Sequence, residues 1–228
     1  MTFTATLADE LLLLAYGDAG GRPPRGSYLD LGLAGAVLTE LALAGRIDVT
    51  GPRGKVAVVD ATPTGDRLVD DVLARIVGET RPRSAKWWVQ KVRKGLRPRV
   101  LHRLVAAEIL SRQESRVLGI FPVVRFPAAV AKSSLGPRAD ARDRIAAAVL
   151  DGREASPRTA ALVGLVRAAV LRKAALPGSP RRSTDRRMAE LSGGHWVAEA
   201  VRRAVVDEQS VAAGAGSAAV VASGAASF

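Results

Sequence analysis

Between residues 80 and 107 the chain carries nine basic side chains and no acidic one. Arg81, Arg83, Lys86, Lys91, Arg93, Lys94, Arg97, Arg99 and Arg103 share that stretch with the adjacent pair Trp87 and Trp88. Bases without interspersed carboxylates hold a local positive potential, and the guanidinium presents paired N–H donors that match phosphate oxygens. The chemistry these residue types offer is capture of phosphate groups, not the making or breaking of bonds. Adjacent tryptophans cannot share one face of a helix. One ring is therefore expected in the core and the other at the surface beside the bases, where an indole can rest at the level of lipid headgroups. The run as a whole is expected to gather on one outer face.

Other residues that could do chemistry are few. His102 and His195 are far apart, and neither has a second ligand at His-x-x-x-His or Glu-x-x-His spacing, so no metal site is expected. The segment "GPRGK" at 51–55 lacks the spacer of a phosphate-binding loop and the Ser or Thr after Lys55, and reads as a hairpin turn. Asp70 and Asp71 sit in a helical pattern on its solvent side, which does not suit acid–base catalysis. There is no cysteine, hence no disulfide, thiolate ligand or thiol nucleophile, which fits a reducing compartment. The chain is expected not to be an enzyme and to need no cofactor.

The overall charge points the same way as the run. Among 228 residues, 34 are Lys or Arg and 22 Asp or Glu, a formal charge of +12, with an isoelectric point near 11.2. Such a surface attracts phosphate-bearing partners, either nucleic acid or anionic membrane. The opening stretch "MTFTATLADELLLLAYGD" has an apolar run preceded by acids instead of bases, so it does not read as a secretory signal. That run is too short to span a bilayer, and the second apolar stretch, 31–45, is interrupted by Glu40. No transmembrane segment is expected.

The elements that must position the basic run can be read from apolar spacing and punctuation. Residues 5–16 form a mostly buried helix ended by "YGDAGGRPPRG". A second helix runs from about Leu31 to Ala44, with Gly45 as its C-terminal cap, and "RIDVTGPRGKVAVVDA" alternates about a turn as a β-hairpin. "TPTGDRLVDDVLARIVGET" is a capped amphipathic helix with Leu68, Val69, Val72, Leu73 and Ile76 inward. Pro98 lies in the first turn of the helix "PRVLHRLVAAEIL". "RVLGIFPVVRFP" is extended or a second hairpin. Ser156 caps a helix with Pro157 at its first position, Arg172 and Lys173 in its last turns and Pro177-Gly178 as its stop. A last helix covers about Trp196 to Glu208, and the Ala/Gly/Ser-rich stretch 209–228 is expected to lack regular structure. One domain over 1–208 with a core of Leu, Val and Ala follows.

The ordered blocks "LADELLLLAYGD", "GAVLTELALAGRIDV", "TPTGDRLVDDVL" and "SPRTAALVGLV" resemble the Golgi phosphoprotein 3 family, including its shorter bacterial members, over residues 5 to about 205. The most specific block is Glu40-Leu-Ala-Leu-x-Gly45-Arg46-Ile47 leading into the hairpin. The resemblance implies a mainly α-helical, single globular domain, with helices around a central bundle and a few β-hairpins. It also implies a non-enzymatic, cytoplasmic, peripherally membrane-associated protein that binds phosphatidylinositol 4-phosphate through a basic pocket.

Carried over by position, the two basic residues of that pocket fall on Lys94 and Arg97, with Arg99 alongside and Lys91 and Arg93 close in sequence. The family's pocket tryptophan has no counterpart in "RGSYLDLGLAGAVL", and Ala34 stands where the family has an arginine; Arg25 is the nearest basic substitute. General binding of anionic phospholipid is thus the expectation, with phosphoinositide selectivity in question. Trp87 and Trp88 match a family tryptophan on a helix. The family's self-association hairpin corresponds to Leu118–Pro127, with Phe121 and Phe126 as its sticky residues, so a homo-oligomer is a further expectation. The competing readings are a winged-helix nucleic-acid binder, disfavoured because "LGLAGAVLTELALAG" offers almost no bases to a groove, and a protein adaptor using the Leu118–Pro127 segment.

Overall fold

Two segments too apolar to carry a polar face become the centre of the molecule. Helix α1 (Leu7–Tyr16) is buried along its whole length and α2 (Leu29–Leu43) along most of it, as helices apolar on all sides must be. The computed structural model describes residues 3–16, 28–50, 54–117, 121–129, 136–194 and 196–223, with side-chain surroundings for all of these except 115–117, 121–123 and 211–223. The fold is mainly α, a single domain of ten helices and two small antiparallel hairpins among the described residues.

Around α2 pack α3 (Arg67–Val77), α4 (Ala85–Val92), α5 (Leu96–Ala106), α7 (Pro157–Ala168) and α10 (Trp196–Ser223). Helices α5, α6 (Gly136–Val149), α7 and α8 (Arg172–Ala175) close over α1, and α9 (Arg181–Leu191) lies on α6 and α7. Close approach needs small residues: a Cβ added to Gly35 would sit 2.3 Å from a Val201 methyl carbon, and one added to Gly164 would sit 2.9 Å from the Ala198 Cβ. These positions set the spacing of α2, α7 and α10.

The ends of the elements follow their residues. At the end of α2, Gly45 takes φ +68°, its N–H donates to the Ala42 carbonyl (3.0 Å) and the Arg46 N–H to the Leu41 carbonyl (2.8 Å), the paired bonds of a glycine-terminated helix. The chain then enters β1 (Ile47–Thr50), which pairs with β2 (Lys55–Val58) in the register Ile47 to Val58 and Thr50 to Lys55. Asp66 caps α3, accepting from the Leu68 and Val69 N–H groups, and α3 buries the five residues expected of it. The segment "RVLGIFPVVRFP" is a hairpin of β3 (Gln113–Val117) and β4 (Phe121–Arg125), its turn lying outside the described residues.

Two expectations differ from the structure, and two helices are added. The single helix drawn from Pro157 through Lys173 is two, because Val170 turns left-handed (φ +59°) and the Ala169 carbonyl accepts from the Tyr28 N–H (3.0 Å). The turn puts Leu171 and Ala175 into the core. Helices α6 and α9 were not foreseen: α9 buries only Thr184 and Met188, too few to print a stripe on the sequence. The final helix does not stop near Glu208 but runs through the 209–228 stretch as far as Ser223, where alanines favour helix and no proline interrupts.

Candidate anion-binding site

The junction of α4 and α5 builds the site. Helix α4 starts where Ser84 accepts from the Trp87 N–H (3.2 Å) and ends at Arg93. A turn over 93–95 follows, with Gly95 at φ +74°, a conformation that costs other residues and not glycine. Helix α5 begins at Leu96 with no side-chain cap and no acid in its first turn. It carries Arg97 and Arg99 there instead. A helix N-terminus is the positive end of the peptide dipole, so cations at that end are unfavourable and an anion is favoured. Arg93, Lys94, Gly95, Arg97 and Pro98 line a cleft of about 340 Å³, with Asp30 of α2 on its far side. Tyr16 lies behind it, its phenol pushed up by burial against the pull of the neighbouring Arg97 guanidinium.

Within the cleft the expected residues differ in availability. Lys94 is exposed and has no carboxylate partner among the described residues. Arg97 donates from Nε to Asp30 Oδ1 at 2.7 Å, and Arg93 pairs with Glu208 of α10. Arg99 does not join them. It turns to the other side of Pro98, pairs with Asp71 and lines a second cleft with Asp66, His102 and Arg103. Lys91 stands 5.7 Å from the centre of the Trp87 ring, and Arg83 lies 4.8 Å from it. Trp87 is half-buried and meets Trp88 edge-on at 4.9 Å, whereas Trp88 belongs to the core. Arg25 lies outside the described residues, as does the side chain of Phe121.

Two readings do not hold as drawn. Phe126 is not a projecting residue: it follows β4 and packs on the core, edge-on to Tyr16 at 6.1 Å. The nine bases also do not form one free plane. Lys86 and Arg93 pair with Asp207 and Glu208 of α10, Arg97 with Asp30 of α2, Arg99 with Asp71 of α3, Arg103 with Asp66 that caps α3, and Arg83 with Glu79. The acids missing from the run are supplied by other elements, which spacing within the run could not reveal. Arg81, Lys91 and Lys94 are left exposed without a carboxylate among the described residues. The pairs on Lys86, Arg93, Arg97 and Arg99 remain about a third or more exposed on both sides. Such pairs contribute at most about 1 kcal/mol each, so a phosphate can displace the carboxylate.

A second charged group escaped sequence reasoning. Asp9 and Glu10 lie buried on α1. Arg103 reaches Asp9 at 3.1 Å, Arg144 reaches Glu10 at 2.9 Å, and Arg158 reaches Glu40 at 2.9 Å. Arg158 also donates to the Ala5 carbonyl (3.0 Å), and Glu40 accepts from the Leu7 N–H (2.6 Å). Burial raises the pKa of Asp9, outweighing the pull of Arg103. The signal that existed was the presence of acids inside an apolar run, since a buried charge needs a counter-charge. His102 is exposed, and Asp70 accepts from the Thr64 and Gly65 N–H groups. Among the described residues no group of three or more His, Cys, Asp or Glu is placed to hold a metal, and no helix is long and apolar enough to cross a membrane.

The family model described as Golgi phosphoprotein 3 (GPP34) matches residues 7–207, which is most of the chain. No curated protein matches it.

Proposed function

The chain belongs to the Golgi phosphoprotein 3 family, and from that membership we propose that it is a non-enzymatic protein that docks peripherally on membranes by binding anionic phospholipid headgroups in the cleft at the start of α5. The observation that carries this reading is the convergence there of an uncapped helix N-terminus, an unneutralised Lys94 and the arginines 93 and 97. Lys94 has no carboxylate partner among the described residues, and the pairs on Arg93 and Arg97 stabilise the fold by at most about 1 kcal/mol each. Cations in the first turn of α5 oppose its dipole, and a phosphate relieves that opposition while accepting from the guanidiniums. Each base close to an anionic surface adds about 1 kcal/mol, so Lys94, Arg97, Lys91 and Arg93 together suffice for reversible attachment. Trp87, half-buried between Arg83 and Lys91, suits the headgroup layer.

A phosphomonoester headgroup of the phosphatidylinositol 4-phosphate kind is the ligand the family resemblance suggests. With Ala34 buried in α2 and no tryptophan beside the cleft, we read selectivity for that headgroup as weak. Nucleic acid is the poorer reading: α2, the helix ahead of the hairpin, would have to enter a groove, yet its sides are packed inside the bundle. Self-association through the β3–β4 hairpin stays an independent proposal, to be tested by the molar mass in solution of Phe121→Asp.

Flotation with neutral, phosphatidylserine-containing and phosphatidylinositol 4-phosphate-containing liposomes tests the reading. The wild type is expected to float with both anionic preparations and Lys94→Glu/Arg97→Glu with neither. Flotation of the double variant at wild-type level, or binding to duplex DNA but not to liposomes at matched salt, overturns it.

A further inference from the structure

Where α7 and α9 end against α10, the chain leaves a cleft of about 600 Å³, a volume in the range that takes a small molecule. Small residues make it. Helices α7 and α10 touch at Gly164 and Ala198, where an added Cβ would come within 2.9 Å of the Ala198 Cβ and 3.2 Å of the Ser192 Cβ at the end of α9. Beyond that contact α7 stops and α10 continues, and Ala168, Gly193 and Gly194 have too little bulk to close the gap. The wall along α10 is apolar. Trp196 is half-buried at one end of it, and further on Val205 is buried while Val206 is 45% exposed. Such a wall suits a hydrocarbon chain that leaves water.

The rim carries one sign of charge in excess. Arg167, exposed on the last turn of α7, has no side-chain partner among the described residues. Glu199 is the one acid among the described residues that line the cleft, and it is already taken. Its Oε2 accepts from Arg202 Nε (2.7 Å), and its Oε1 from Arg202 Nη2 (2.7 Å) and Arg203 Nε (2.8 Å). One carboxylate thus meets two guanidiniums while a third has none. The helix ends offer a cation little in return, because the carbonyls of Leu165, Val166 and Arg167 in α7 and of Met188, Ala189 and Glu190 in α9 accept bonds from their own turns.

We propose that this cleft binds a single-chain amphipathic anion, whose hydrocarbon lies along Trp196 and Val206 and whose carboxylate or phosphate accepts from Arg167 and from the Nη1 of Arg202 that Glu199 leaves free. The guanidinium fork fits either head. The apolar wall supplies the attachment, and Arg167 selects the sign. The proposal does not depend on the headgroup reading: the cleft uses the face of α10 that carries Glu199, Arg202 and Val206, whereas Asp207 and Glu208 turn to Lys86 and Arg93 of the α4 side.

Titration calorimetry of the full chain with decanoate, decyl phosphate and decyltrimethylammonium, each kept below micelle formation, tests it. At least one of the two anions is expected to bind and the cation not, the tighter anion naming the head. Arg167→Gln removes the unpaired guanidinium and Val206→Asp puts a carboxylate on the apolar wall. Each is expected to weaken the anion about tenfold. Both positions are exposed and Arg167 holds no other side chain, so both variants are expected to melt as the wild type does. Lys94→Glu/Arg97→Glu is expected to bind the anion as the wild type does, which keeps this result apart from that of the liposomes. Binding of the cation as tight as that of the anions, absence of binding at millimolar decanoate and decyl phosphate, unchanged affinity in Arg167→Gln, or loss of binding in Lys94→Glu/Arg97→Glu overturns the proposal.

Discussion

The basic segment 80–107 and the carboxylate–arginine network around α1 both pair cations with anions, but at different depths. In the first, Lys86, Arg93, Arg97 and Arg99 reach acids across open surface, and both members of each pair stay about a third or more exposed. In the second, Asp9 and Glu10 are almost completely buried, and their arginines arrive from α5, α6 and α7. Removing one partner of a buried pair leaves an uncompensated charge, whereas removing one partner of an exposed pair leaves a group that water solvates. Apart from Arg103, which lies in the basic segment yet reaches buried Asp9, the conspicuous charges in the sequence are therefore the ones open to a ligand, and the inconspicuous ones hold the fold.

The largest effect that distinguishes the two regions is expected at Glu40, which accepts from the Leu7 N–H and pairs with Arg158. Glu40→Ala should cost about 3 kcal/mol of stability in urea unfolding without changing liposome flotation per folded molecule. Arg97→Ala is the counterpart. It should cost less than about 1 kcal/mol while weakening flotation severalfold. A large stability loss in that variant would mean that the cleft is structural after all.

pH sharpens the contrast, because one carboxyl in each class shifts in the opposite sense. The pKa of Asp9 is raised by burial above its ordinary 3.8. Its stabilising contribution is thus complete below that value and is lost as pH rises through the folded-state pKa. The stability of wild type relative to Asp9→Asn should fall as pH rises above the ordinary 3.8. Glu199 on the exposed side of α10 is held down to about 2, chiefly by the hydrogen bond from Arg202. Its contribution is present above 4.5 and is lost as pH falls toward about 2. Glu199→Gln should show a small loss near neutrality that vanishes in acid, the smallest effect of the series because the pair is well solvated.

What could be read beforehand divides along the same line of depth. Helix α3 was legible because its five buried residues repeat at helical spacing around a capping Asp66, and the end of α2 was legible from Gly45. The candidate cleft was legible as residue types, with Lys94 and Arg97 coming together. Its geometry was not, since nothing local says that Arg99 turns away past Pro98 or that Asp30, 67 positions earlier, faces Arg97. Helix α9 was hidden because an almost wholly polar stretch becomes helical by packing Met188 against its neighbours. The division of α7 from α8 was hidden because valine gives no hint of a left-handed turn.

That turn at Val170 has a practical consequence. A β-branched residue held left-handed carries about 1–2 kcal/mol of local cost, and its side chain is 54% exposed, so little packing is gained in exchange. Val170→Gly should raise the melting midpoint by about 2–4 °C, with every other helix left in place. The bend between α7 and α8 is thus a handle for making the protein hardier, independent of whatever it binds.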